Sequence, residues 1–291
     1  MLKIVRTTFC SYSSEACIEH ISLISNSFFQ VTTLPELSYY FSSAPELGLP
    51  TPTITCLGSD TLSVRGPVTK SPTSMTYELL FRVSVPSGVS PLTVQCTPLL
   101  VKSGGTPNAT ITVSGGYTPE AWITWAGATD YSMDAGDFAH NFTFRGEDPH
   151  EALLGAVSLA TTSSYETALG DHISSYNALL NGSFSLSLGQ TPKLDVPTDM
   201  LRARYQIDVG DPYLEWLTFN LGRYLLASSA PGVLPSNLQG VWADGWSNAW
   251  GAGTSVFPRV EAIFTISARL PCVIISHQPI WCSIFPCRLQ H

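Results

Sequence analysis

Between Asn237 and Trp250 the chain carries Asn237, Gln239, Trp242, Trp246, Asn248 and Trp250. Flat indoles beside planar amides suit a sugar: ring C–H groups lie on the indole face and hydroxyls pair with the amides. Asn237, Gln239, Trp242 and Trp250 are the candidate substrate-binding residues. Tryptophans in a loop also pack the rim of a core, and residue type alone does not separate the two readings. Cleaving a glycosidic bond needs two acid/base groups flanking it, set far enough apart in an inverting enzyme to admit a water. The carboxylates nearest in sequence are Asp195, Asp199, Asp208, Asp211, Glu215 and Asp244. Asp211 reads as a helix cap and Glu215 as a first-turn acid favoured by the helix dipole. Asp244 alone stands between sugar-suited groups, and none of these residues is assigned a catalytic role.

That loop must be held by the helix before it. Asp211 can cap and Pro212 suits the first helical position, where its missing N–H costs nothing. Leu214, Leu217, Leu221 and Leu225 recur at helical spacing and mark one apolar face. Ser228-Ser229-Ala230-Pro231-Gly232 ends the helix. Arg223 on this helix reads as a buried hydrogen-bond hub rather than a substrate clamp.

The run GRYLLASSAPGVLPSNLQGVWADGWSNAWG (Gly222–Gly251) resembles the signature of glycoside hydrolase family 95, the 1,2-α-L-fucosidases. Tyr77-Glu78, Ala128-Thr129-Asp130-Tyr131, His172 and Asp211-Pro212-Tyr213 follow the family's order more diffusely. The resemblance covers about Arg6 to Gly251. It implies a β-sandwich, a helical linker and an (α/α)6 barrel with the site in its mouth. It further implies inverting hydrolysis with a glutamate as general acid, and a water activated by an Asn-x-Asn pair supported by an aspartate. No position in this chain matches those catalytic groups. The implied partner is a fucosylated glycan or plant polysaccharide, with α-L-galactoside an open alternative, and no cofactor is implied.

Composition narrows the class independently. In 291 residues, charged side chains make up 12%, against about 25% in ordinary domains. A chain of this length can bury a sizeable core. The formal charge of −8 argues against nucleic acid, whose phosphates demand a basic face. The chain contains no run of 18 apolar residues, so a membrane span is not expected. Three N-x-Ser/Thr sequons begin at Asn108, Asn141 and Asn181, the acceptor pattern of secreted proteins. The first twenty residues lack the continuous apolar stretch of a signal peptide. An extracellular location is therefore expected for a full-length relative that carries a leader.

Seven cysteines leave one unpaired at least. Cys10 with Cys17, and Cys56 with Cys96, are possible disulfides, although spacing cannot assign connectivity. Cys272, His277, Cys282 and Cys287 are separated by four residues each. Structural zinc sites use tighter Cys-x2-Cys knuckles, so no metal site is expected.

The elements read as strands first and helices later. Residues 1–50 are mixed, with strand character at Ile18, Ile21, Leu23 and Phe28-Phe29. Thr53–Cys56, Leu62–Arg65, Tyr77–Val85, Leu92–Cys96, Ala109–Ser114 and Ala121–Ala126 are short, rich in β-branched and aromatic residues, and separated by turn clusters. This is a sandwich pattern. Leu80, Arg82 and Ser84 set against Phe81, Val83 and Val85 predict a half-buried strand. Asp148-Pro149 starts a helix over Ala152–Leu159. Tyr165, Leu169, His172, Tyr176 and Leu179 mark a further amphipathic helix, with His172 a core or interdomain histidine and Gly182 closing it. Thr198-Asp199 starts a short helix through Tyr205.

The expected organisation is a β-sandwich over 1–145, a helical linker over 146–209, the first helix of an incomplete (α/α)6 barrel over 210–253, and a divergent tail over 254–291. A barrel of six hairpins needs about twelve helices, so weak folding is expected after residue 200. The tail lacks a clean period and reads as a different reading of the gene. An inactive fragment of a fucosidase-type enzyme is the leading expectation. A noncatalytic carbohydrate-binding or structural β-sandwich is the alternative.

Overall fold

The computed structural model describes residues 3–24, 34–41, 50–68, 75–85, 93–99, 108–114, 119–180 and 184–229. Nine strands precede four α-helices among the described residues. They are β1 (Lys3–Ser11), β2 (Ala16–Ile24), β3 (Leu37–Tyr40), β4 (Thr53–Leu57), β5 (Thr61–Pro67), β6 (Thr76–Ser84), β7 (Thr93–Leu99), β8 (Asn108–Ser114) and β9 (Glu120–Thr129). The helices are α1 (His150–Thr162), α2 (Tyr165–Leu180), α3 (Thr198–Arg204) and α4 (Pro212–Ser229). The chain therefore has the expected order, a sheet-rich region followed by helices. β1 and β3 were not anticipated from the mixed first fifty residues, because pairing rather than local pattern makes them strands. Phe28 and Phe29 lie outside the described residues.

The chain divides into two compact units between Ser175 and Tyr176, inside α2. In the first unit, six strands form one antiparallel sheet in the order β1-β2-β9-β6-β5-β4, and three form a second in the order β3-β8-β7. The sheets meet where β4 and β5 approach β7 and β8. A disulfide between Cys56 of β4 and Cys96 of β7 joins them covalently, and the rings of Tyr39 and Phe81 lie 5.3 Å apart. The arrangement is consistent with the expected sandwich. β8 shows the period of two that a half-covered strand requires, burying Ala109, Ile111 and Val113.

β6 departs from the half-buried strand read from its alternation. Glu78, Leu79, Leu80, Phe81 and Val83 are all buried. Leu80 packs in a cluster with Phe9, Ala16, Ile18 and Ala126 of the sheet, and with Leu153, Val157 and Ala160 of α1. Arg82 Nη1 donates to Ser158 Oγ on the same helix at 3.3 Å. Residues 78, 80 and 82 therefore form the face under α1, while Phe81 on the other face meets Tyr39. α1 covers the sheet surface that a strand-only reading leaves in water. The second disulfide joins Cys10 and Cys17, directly opposite each other across β1 and β2. His172 in α2 is half-buried, its ring 5.0 Å from that of Phe9. This is the core placement expected of it.

The second unit, from residue 176, contains the end of α2, α3 and α4. Along α4, Tyr213 is buried, Leu214, Leu217 and Leu221 are half-buried, and Leu225 is exposed. The expected apolar stripe is thus covered only in part among the described residues. Aromatic pairs hold this unit together: Tyr176 with Tyr224 at 5.6 Å and Phe184 with Phe219 at 5.8 Å between ring centres.

Candidate functional site

Asn237, Gln239, Trp242 and Trp250 lie outside the described residues, as do Asp244, Trp246, Asn248 and the tail cysteines with His277. The structure does describe the helix that leads into this loop. Asp211 Oδ1 accepts the backbone N–H groups of Tyr213 at 3.0 Å and Leu214 at 3.1 Å. These are two of the donors that a helix start leaves without an intrahelical partner. Its Oδ2 takes Lys193 Nζ at 2.5 Å. The lysine first, and the helix N–H groups with it, hold the Asp211 carboxyl below its ordinary value. Glu215 Oε1 reaches back to the Asp211 N–H at 3.3 Å and also accepts the Tyr205 hydroxyl at 3.0 Å. Gly210 sits at φ +74°, and a Cβ there would come within 2.7 Å of Glu215 Oε1. The cap thus needs a glycine before it. Asp211 and Glu215 take the structural roles read from the sequence.

Arg223, in the middle of α4, donates through Nη2 to the Leu180 carbonyl at 2.6 Å. Its guanidinium lies 5.8 Å from the ring centre of Phe184 and 5.7 Å from that of Phe219. A cation on the last carbonyls of a helix satisfies an orphan acceptor and the dipole together. Arg223 has the hydrogen-bonding role expected of it, bonding Leu180 and Asn220, but it is half-buried rather than buried. Asp195, Asp199 and Asp208 are exposed and enter no described ion pair. The described carboxylates of this region do not converge on one another.

The most buried carboxylate among the described residues is Glu78 in β6, 2% exposed. Ser63 Oγ donates to Oε1 at 2.8 Å and Arg65 Nη1 to Oε2 at 2.6 Å. His150 Nδ1 lies 3.0 Å and 3.1 Å from the two oxygens. Burial pushes the carboxyl up, but the bonds from Ser63, His150 and Arg65 outweigh it and leave it below its ordinary value. An ionised carboxylate only accepts, so His150 carries its proton on Nδ1. Arg65 also pairs with Asp148, and this pairing above all lowers Asp148 to about 2. Asp148 Oδ1 takes the His150 N–H at 3.0 Å and so begins α1. Both oxygens of Glu78 thus accept from protein donors. The cluster is a brace between β5, β6 and α1. Sequence reasoning reached Glu78 only through resemblance. Its partners Arg65 and His150, 13 and 72 residues away along the chain, carried no local signal that they meet it.

Asp130 closes the loop that follows β9. Its Oδ1 accepts the Thr76 N–H at 2.9 Å, and Oδ2 holds Arg145 through Nε at 2.9 Å and Nη2 at 2.8 Å. Of the three sequon asparagines, Asn181 lies outside the described residues. Asn108 opens β8, half-buried, with Nδ2 donating to the Phe41 carbonyl at 3.0 Å. Asn141 is exposed in the loop between Tyr131 and Arg145.

A family model described as the glycosyl hydrolase family 95 catalytic domain matches residues 164–256. "Probable alpha-fucosidase A" of Aspergillus niger is 34% identical over 249 residues, covering 85% of this chain and 28% of the relative. A protein of the same name from Aspergillus oryzae is 30% identical over 253 residues, covering 85% of this chain and 32% of the relative. The chain thus spans about a third or less of the length of these curated relatives. The matched span contains α2, α3 and α4, the elements that carry the capped helix and its Arg223 anchor. With the matched model and both relatives in agreement, the chain belongs to glycosyl hydrolase family 95.

Proposed function

We propose that this chain is part of a glycoside hydrolase of the α-L-fucosidase type, which removes terminal α-linked fucose with inversion. The match of the family's catalytic-domain model across 164–256, which contains the Gly222–Gly251 run, carries this reading. The names of the two relatives point to the same sugar. On this reading residues 1–145 form the sandwich, 146–209 the linker and 210–253 the entry to an (α/α)6 barrel, with 254–291 a divergent tail. Asn237, Gln239, Trp242 and Trp250 then stand at the mouth of the site, where indole faces receive the fucose ring and amides its hydroxyls. The partner is a fucosylated glycan or plant polysaccharide, met outside the cell. The general acid and the Asn-x-Asn water clamp have no counterpart in these 291 residues, so the chain alone is inactive.

The test is release of fucose from a 2-linked fucosyl oligosaccharide. The purified chain should release none. A longer product in which the family continuation follows Gly251 should release fucose, and changing its Trp242 to alanine should raise KM. Failure of the longer product on fucosyl and α-L-galactosyl substrates alike would sink the reading. Saturable sugar binding that survives deletion of 200–291 would favour a noncatalytic binding module instead.

A further inference from the structure

The loop from Tyr131 to Arg145 presents four aromatic rings outward, and the reading above gives none of them a role. Phe138 is 84% exposed, Phe142 59%, Phe144 39% and Tyr131 37%. Exposed apolar rings grouped on one surface loop suit a contact. The loop is closed by its own backbone bonds: Ser132 N–H donates to the Phe144 carbonyl, Phe144 N–H to Ala135, Phe142 N–H to Asp137 and Thr143 N–H to His140, all within 3.2 Å. Asp130 and Arg145 clamp its two ends. Three non-glycine residues, Asn141, Phe142 and Phe144, sit at φ between 52° and 55°. Left-handed backbone at a phenylalanine is strained, and a cluster of such positions persists only where the surroundings impose it.

At the centre of this strained turn is Asn141 in the sequence Asn141-Phe142-Thr143. A single 3-10 turn, Phe138–His140, ends on Asn141, whose N–H donates to the Phe138 carbonyl. Phe138 opens that turn and Phe142 directly follows Asn141, so the two rings flank the asparagine along the chain. The Phe142 ring stands edge-on to that of Phe138 at 6.4 Å between centres. Asp137 accepts His140 through both its backbone N–H and its ring nitrogen, so neither competes for the Asn141 amide. Asn108 differs in each respect: it is half-buried in a strand and its Nδ2 already donates to Phe41.

We infer that Asn141 is an N-glycosylation site whose first sugar packs its C–H face on Phe138 and Phe142, and that Asn108 is left unmodified. In the transfer, Asn141 Nδ2 bonds to the anomeric carbon of an oligosaccharide carried on a polyprenyl diphosphate. The carbon–oxygen bond to the diphosphate breaks, the diphosphate leaves with the electron pair, and one amide proton passes to base. The occupant of the aromatic patch is thus the chain's own glycan.

The full chain behind a cleavable leader, translated into endoplasmic-reticulum microsomes, reads occupancy directly. Glycopeptide mapping should find sugar on Asn141 and none on Asn108, and Thr143→Ala should abolish the Asn141 signal. Bare Asn141 in translocated chain would overturn the inference. Protein secreted from yeast then reads the packing. Enzymatic release of the glycan should lower the melting temperature by about 2–4 °C, and Phe138→Ala should erase that difference. An equal drop with and without Phe138 would overturn the packing. Fucosidase assays bear on neither result.

Discussion

His150 Nδ1 lies 3.0 Å from Oε1 of Glu78, joining the first turn of α1 to the middle of the six-stranded sheet. Arg65 and Ser63 converge on the same carboxylate. A helix is thereby fixed to a sheet face by one buried carboxylate with three side-chain partners, beside an apolar cluster that includes Leu80 and Val157.

Removing that charge should expose how much depends on it. Glu78→Ala takes the shared acceptor from Ser63, Arg65 and His150 while Asp148 still holds Arg65, and the expected cost is about 1–3 kcal/mol by urea denaturation. The wild-type protein should also be acid-sensitive through this group. Its folded value lies below the ordinary 4.5, so its contribution is complete above about 4.5 and is lost as pH falls through the lowered value. Glu78→Gln should flatten the urea midpoint between about pH 5 and pH 3; an unchanged slope would count against the brace.

His172 should act in a different window. Burial against Phe9 lowers its pKa below 6.5, opposed by a hydrogen bond with the Cys10 backbone. The folded state then binds the proton less readily than the unfolded one. Stability should be full above about 6.5 and fall as pH drops through the lowered value. His172→Phe should remove that dependence, read as urea midpoints at about pH 7.5 and pH 5.

The Cys56–Cys96 disulfide bridges the two sheets across a sequence separation of 40. Loop-closure entropy of the unfolded chain makes such a bridge worth about 2–5 kcal/mol. The double Cys56→Ala, Cys96→Ala variant should lose that amount. Reduction of the wild type opens Cys10–Cys17 as well and should cost at least as much, and a double variant that melts with the oxidised wild type would contradict the prediction.

Asp211→Ala should cost about 1 kcal/mol by freeing the N–H groups of Tyr213 and Leu214. Amide exchange at those two residues should quicken while exchange in α1 stays unchanged. Asp211→Asn keeps a capping oxygen and loses only the Lys193 ion pair, so it should be the milder change.

Helix starts and strand cores were legible because their causes are local. Asp148-Pro149 and Asp211-Pro212 each begin a helix, and six strand segments after Thr51 appear within a few residues of their reading. β1 was not legible: Lys3–Ser11 has no clean alternation, and its pairing with β2 together with Cys10–Cys17 makes it a strand. The partners of Glu78 were invisible for a similar reason, since 72 residues separate it from His150. Aromatic exposure at Phe138 and Phe142 was equally hidden, because apolar residues near a turn pack inward as often as outward.

By itself the amino-acid order determined where α1, α2, α3 and α4 begin, the strand-then-helix sequence, and the Gly222–Gly251 run that carries the family. These depend on caps, periods and residue identity within a few turns of chain. Tertiary structure alone decided that α1 buries the second face of β6, that Cys56 meets Cys96, and that Ser63, Arg65 and His150 meet at Glu78. Those outcomes depend on which distant surfaces lose water together, and hydrophobic burial and charge pairing act through space without regard to separation along the chain.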